Sequence, residues 1–373
     1  MADWRCSSIW DLRIRIADKN QAIPYPKSHI PNQIMDSQNE NSEEQEQLTP
    51  EEYLAKRKAS ARKKSWWAIG IGAFLVFAHL VWLPVLYWFG RESFSLFFQS
   101  ILFILGLVGF IGGLWGLFYA RSLNLSDIIP TEAAIKYLAE ARQITPYYTY
   151  ILVVSIVVVF IAQVIVDNDN NDSSELLPLS IQLAGLIKPL VWKGEFWRLL
   201  TVGTLHGGLL HIYFNGQALY GLGTTVEYLS NRAHLAIVFV LAIVSGALFS
   251  LYFMPNTPSV GASGGIMGII GYAAMLGYRR KSQMPPDFLK NMLINIGFIA
   301  AFGIVAYQFI DNFGHLGGLL VGVVYGFLQI PRSLEKDPRK VGVIADFLGM
   351  IAMGVFVFTA ILSILLILEK IKL

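Results

Sequence analysis

The stretch SVGASGGIMG, residues 259–268, sets a hydroxyl, Ser263, among four glycines at the start of a long apolar run. A serine hydroxyl is a poor nucleophile until a positioned base takes its proton, and a neutral imidazole has a pKa suited to that work. His315, in DNFGHLGGLLVG at 311–322, is the candidate base. Acyl transfer also needs donors for the developing oxyanion. The Ser263 backbone N–H is one, and HGGLLHIYFN at 206–215 offers more. There His211 and Asn215 are four apart and share a helix face. His206 joins them only if the helix starts after it, at Gly207-Gly208. On that condition His206 and Asn215 are donors, with His211 and Gly261 in support. Asp311 and Asn312 precede His315 but should lie above it, toward water, so no acidic third member is expected.

These residues need elements that bring them together. The chain has 373 residues, 54% hydrophobic and 15% charged, against about 25% charged in a soluble domain. It reads as an all-α, polytopic integral membrane protein. The single cysteine, Cys6, excludes an internal disulfide. Nine stretches have membrane length, where roughly 20 residues are needed: 65–90, 93–120, 145–166, 200–222, 233–254, 260–278, 291–310, 313–331 and 344–368. Spans four, six and eight run in the same direction, so the early residues of each lie at similar depth. His206, His211, Ser263 and His315 can therefore meet. Gly264, Gly268 and Gly271 recur on span six, and Gly314, Gly318, Gly322 and Gly326 on span eight. Small residues at that spacing let two helices approach almost backbone to backbone. Helix packing without chemistry is the plain alternative, but a serine on one glycine-faced helix and a histidine on the other argue for more. Of the other histidines, His29 lies in the soluble tail, His79 reads as a hydrogen-bonded structural residue, and His234 as interfacial.

Charge sets an expected orientation. With the basic N-terminal segment inside, inner segments from Lys56 onward hold eighteen Lys and Arg against six outside, a positive-inside bias. Residues 36–48, DSQNENSEEQEQL, read as disordered. Thr49, Pro50 and Glu52 form a helix-start signature for a helix carrying Lys56 to Lys64 up to the first span. Residues 1–34 hold no long apolar core, so no secretory signal is expected. Met35 is an alternative start that intact mass would decide.

With these residues in view, the sequence resembles the rhomboid family of intramembrane serine proteases between about 145 and 331. The matching elements are GEFWRLLT (194–201), HGGLLHIYFN (206–215), GTTVE (223–227), GASG (261–264) and DNFGHLGGLLVG (311–322). Each alone is common; five in this order are specific. The resemblance implies a six-helix core, here with two extra N-terminal helices and one extra C-terminal helix. It implies a Ser263–His315 dyad, oxyanion donors His206 and Asn215 with His211 beside them, and structural motifs at Trp197 and Arg198, at Gly223 and Glu227, and at Gly264 and Gly318. Interfacial anchoring is the preferred role for Trp197 and Arg198, and loop anchoring for Glu227. Lateral substrate access near 291–310 is also implied. One departure is Met267, at a position where the family often holds an aromatic packed on the histidine.

The expected organisation is a cytoplasmic, largely disordered segment 1–64, an extra helix pair 65–120, a cytoplasmic linker 121–144, a protease core 145–331, and a loop with a final helix over 332–373. The expected function is a serine endopeptidase (a hydrolase) cleaving transmembrane segments of other proteins near the outer side of the bilayer. It needs no cofactor, metal or nucleic acid, and sits in a bacterial-type plasma membrane with its N-terminus cytoplasmic. The alternative is a catalytically silent relative that binds transmembrane segments. A histidine proton relay in a transporter would not need a serine between glycines, and no His-Glu-x-x-His zinc motif occurs.

Overall fold

Thr49 and Glu52 start the first helix with a reciprocal cap. The Glu52 N–H donates to Thr49 Oγ1 at 3.2 Å and the Thr49 N–H to Glu52 Oε2 at 2.7 Å. Pro50 takes the first helical position, where no N–H donor is required. This computed structural model describes residues 49–88, 101–141, 144–169 and 177–371; the readings of 1–48, His29 included, lie outside the described residues. Helix α1 runs unbroken over Pro50–Trp88. The expected boundary at 64/65 is therefore no structural break, because the basic residues and the apolar run form one rod.

The described residues form helices joined by loops, without strands. After α1 come α2 (Ile101–Ser122), the linker helix α3 (Glu132–Ala141) and α4 (Tyr147–Asp169). Three short helices follow: α5 (Leu179–Ala184), α6 (Lys188–Val191) and α7 (Arg198–Thr201). The longer helices α8 (Leu209–Leu229), α9 (Arg232–Phe253), α10 (Ser263–Arg279), α11 (Phe288–Val305), α12 (Asn312–Gln329) and α13 (Val343–Ile367) complete the fold. The expected fourth span, 200–222, is corrected: Gly207 and Gly208 interrupt it, and the helix is displaced to 209–229. Among the described residues six helices, α1, α2, α4, α9, α11 and α13, are long and apolar enough to cross a membrane. The glycine-rich α8, α10 and α12 stand outside that group.

The core is built on α9, α10 and α12. Gly264 and Gly268 of α10 lie against Gly318 and Gly322 of α12 so closely that a Cβ on either α12 glycine would collide with an α10 carbonyl. Farther along, a Cβ on Gly271 would stand 2.6 Å from Leu319 O, and Gly326 faces Met275. Rising numbers pair with rising numbers, so α10 and α12 are parallel. Helix α9 runs antiparallel to both, with Gly246 against Gly314 O and Ser245 Oγ donating to Gly317 O at 3.0 Å. Helix α8 packs antiparallel to α4 through Gly223 against Thr149 and stacked Tyr220 and Tyr150. Helix α13 closes the back with Phe356 edge-on to Phe239.

His234 is not interfacial. It is buried, with Nδ1 2.9 Å from the Tyr325 hydroxyl and its ring beside Tyr272. His79 faces the Phe103 ring at 5.8 Å. At the end of the bundle remote from Ser263, Arg57 (3.2 Å) and Tyr119 (3.0 Å) both donate to Asp287 Oδ2, and Lys290 pairs with Asp127 at 2.5 Å. These contacts dock α1, α2 and the linker on the start of α11.

Candidate active site

Ser263 is the first residue of α10, and His315 lies in the first turn of α12. Because the two helices are parallel and share a glycine seam, both starts fall at one end of the bundle. The residues flanking the pair nearly touch: Gly264 stands against Gly314 O and Gly318. Asp311 caps α12, with Oδ1 accepting from the Gly314 N–H at 2.7 Å, and the His315 N–H donates to Asp311 O at 3.0 Å. Asp311 therefore spends its carboxylate on the helix start and on Ser259, not on the imidazole. His315 Nδ1 is buried without a partner, and among the described residues no hydrogen bond joins His315 to Ser263.

The loop before Ser263 is shaped by Gly261, whose φ of +131° disfavours any side chain. Its N–H donates to Val202 O at 2.8 Å. A Cβ there would stand 2.8 Å from His211 Nε2 and 3.5 Å from Asn215 Nδ2. Gly261 is thus the point at which the α8 side chains meet the serine loop. On α8, Gly208 has φ +141° and precedes the first helical residue, which turns His206 back toward the helix. The rings of His206 and His211 lie edge to face with centroids 5.2 Å apart. His211 Nδ1 accepts from the Gly207 N–H at 3.3 Å, so a neutral His211 carries its proton on Nε2, facing Gly261. Both ring nitrogens of His206 and the Asn215 amide nitrogen are buried without partners. Buried polar atoms normally find one; here the Asn215 amide lies beside Gly261 and the His206 ring beside His211.

Gln163, which the sequence did not single out, sets the His206 peptide. Its amide donates to His206 O at 3.2 Å and accepts from the His206 N–H at 2.9 Å. Ser180 and Asp167 extend that support, with Ser180 Oγ donating to Asp167 Oδ2 at 2.7 Å. No periodic pattern marks these residues, since their pairing arises only once α4 and the loop fold together.

Trp197 and Arg198 begin α7. Arg198 faces inward rather than toward an interface: it is buried, donating to Gly185 O and Glu195 Oε2, both at 2.6 Å. Trp197 packs in a small apolar cluster with Val159 and Leu205. Glu227 accepts from the Tyr148 and Thr149 N–H groups and from Thr149 Oγ1, at 3.2, 2.7 and 2.6 Å. It therefore caps the start of α4, far from the serine, and Gly223 leaves room for Thr149. Met267 is buried in the main core. Among the described residues no cluster of three or more His, Cys, Asp or Glu could hold a metal.

Residues 193–332 match the Rhomboid domain. The Rhomboid protease GluP of Bacillus subtilis (strain 168) is 32% identical over 205 residues, 54% of this chain and 39% of the relative. RHOMBOID-like protein 6, mitochondrial, of Arabidopsis thaliana is 32% identical over 163 residues, 41% of this chain and 50% of the relative. Inactive RHOMBOID-like protein 8 of the same plant is 31% identical over 139 residues, 36% of this chain and 38% of the relative. In each case the chain spans half the relative's length or less.

Proposed function

We propose that this chain, whose residues 193–332 match the Rhomboid domain, is a rhomboid-family intramembrane serine endopeptidase acting through Ser263 and His315. The observation that carries the reading is the parallel seam of α10 and α12, which brings serine and histidine to matching helix starts beside buried, unfilled donors. His315 takes the Ser263 proton as Oγ attacks the scissile carbonyl. The oxyanion accepts from the Ser263 N–H, Asn215 Nδ2 and the protonated nitrogen of His206. His315 then returns the proton to the leaving amine, and an acyl-Ser263 ester remains. Water, deprotonated by His315, attacks that ester and releases the new carboxylate with Ser263 restored. A substrate transmembrane helix must unwind locally to present its backbone, so small or helix-breaking residues near the cut favour cleavage.

In this reading the Ser263 end opens to the outside, and the basic N-terminal end of α1 faces the cytoplasm of a bacterial-type plasma membrane. The substrates are transmembrane segments of other membrane proteins. Domain limits follow the helices: a basic helical stem joined to a two-helix hairpin, a linker at α3, the protease core, and α13. A second reading, a silent relative that holds transmembrane segments uncut, has on its side the family member named inactive. One experiment separates them. Purified full-length protein in lipid vesicles is given a generic transmembrane substrate, as wild type, Ser263→Ala and His315→Ala. Cleavage by wild type alone is expected; binding without cleavage by all three supports the silent reading.

A further inference from the structure

Near Ser263 the α10–α12 contact is glycine on glycine, with Gly264 and Gly268 against Gly318 and Gly322, and the side-chain knobs of Leu319 and Met275 lie farther along, against Gly271 and Gly326. A second contact at the Ser263 end would fix how far Ser263 stands from His315. The structure carries a partly buried polar cluster at the same end of the bundle that the catalytic scheme leaves unused. Lys188, on α6, is 1% exposed, where an ammonium is costly unless compensated. Its Nζ donates to Ser259 Oγ at 2.7 Å and also to Thr257 O. Ser259 Oγ–H in turn donates to Asp311 Oδ2 at 2.7 Å. That uses the one proton of Ser259, so the Ser250 hydroxyl, 3.0 Å away, is the donor in its contact with Ser259. The other Asp311 oxygen caps α12 through Gly314. Leu186 and Ser259 exchange two backbone hydrogen bonds, at 3.0 and 3.2 Å, and so hold the α6 loop against the serine loop.

Ser259 lies four residues before Ser263, and Asp311 four before His315. We propose that Lys188, Ser259 and Asp311 form a charged clasp that sets the register of α10 against α12 and so positions Ser263 for His315. This rests on the protease reading and names its positioning residues. The clasp is an ammonium–hydroxyl–carboxylate chain whose two ends sit on different elements, with the hydroxyl on the loop leading to Ser263. Removing any link frees one helix start relative to the other.

The test uses the full chain in vesicles, with two readouts: the rate at which a fluorophosphonate probe labels Ser263, and kcat with KM on a transmembrane substrate. The variants are Lys188→Met, Ser259→Ala, Asp311→Asn and the double Lys188→Met/Asp311→Asn. Asn keeps the cap of α12 but removes the charge. Each single substitution is expected to slow labelling and kcat together by roughly 10- to 100-fold, as small misplacements of reacting groups do, with KM unchanged. The double is expected to be no slower than the slower single, because the three residues act as a unit. Should the charge variants fail to fold, Ser259→Ala, which removes one hydroxyl, decides alone. Unchanged labelling in folded variants, a change in KM only, or losses that multiply in the double would overturn the clasp. A wild type that labels at no serine, or at another one, overturns the dyad and the clasp with it.

Discussion

Among the helix pairs that meet through glycines, α1–α2 and α10–α12 differ in direction and in what they carry at their ends. In the α1–α2 pair, a Cβ on Gly72 would stand 2.6 Å from Gly106 O, and one on Gly113 would stand 2.7 Å from Ser65 O. Rising numbers on one helix meet falling numbers on the other, so the pair is antiparallel. Within it Ser65 Oγ donates back to Ala61 O at 2.7 Å, and His79 faces the Phe103 ring. In the α10–α12 pair the approach is as close, but the helices are parallel. Both helix starts, with their polar loops, then share one end. Small residues give proximity in both pairs. Direction decides whether two reactive side chains on separate helices end at one depth.

Opening each seam is the strongest way to break the comparison. Gly318→Leu drives a side chain into Gly264 O, and overpacking of this kind costs about 1–3 kcal/mol or more. Cleavage is expected to fall below detection, with a lower melting temperature. Gly113→Leu in the hairpin is expected to lower thermal stability as well, yet leave kcat within about threefold by the same packing argument. Equal loss of cleavage in both would show that the hairpin contributes to the chemistry.

Asn215→Ala comes next. It should keep the fold and lower kcat by about 10²- to 10³-fold, as loss of one oxyanion donor does. Unchanged turnover would give Asn215 a packing role only. Asp287→Ala removes the shared acceptor of Arg57 and Tyr119 and should loosen the hairpin. The readout is faster proteolysis of α1, with cleavage of substrate nearly intact. The smallest effect lies in the α12–α13 loop, where Arg339 is hydrogen-bonded to Asp337 and to Tyr137 O at 3.1 Å. Burial would raise the Asp337 pKa, but the hydrogen bonds and charge of Arg339 outweigh it and hold the group below the ordinary carboxylate value. A lowered carboxylate pKa stabilises above the unfolded value and loses that contribution as pH falls through the folded one. Below about pH 4 the loop is expected to exchange amide hydrogens faster, by less than about 1 kcal/mol.

Much of this frame could be read from residues alone. Glycine periods on α10 and α12, the even number of crossings between them, and the Gly207-Gly208 break all have a local signature. What escaped detection was non-local. Lys188 counts as one more loop charge in the sequence, yet it is buried. Asp311 was expected in water, yet it bridges to Ser259. Gln163 looks like one polar residue in an apolar run, yet it holds the His206 peptide from both sides. Each gains its role from a partner far away in the chain, and no periodicity announces such a pairing. His234 misled for the opposite reason: its place at a helix start suggested an interface, while Tyr272 and Tyr325 enclose it.

The central claim is that Ser263 becomes a nucleophile because His315 serves it. Fluorophosphonate labelling of the membrane-embedded protein, followed by mapping of the modified residue, addresses this without a substrate. The account predicts label on Ser263 in the wild type and none in His315→Ala. Label on a different residue, or undiminished label on Ser263 without His315, would contradict it.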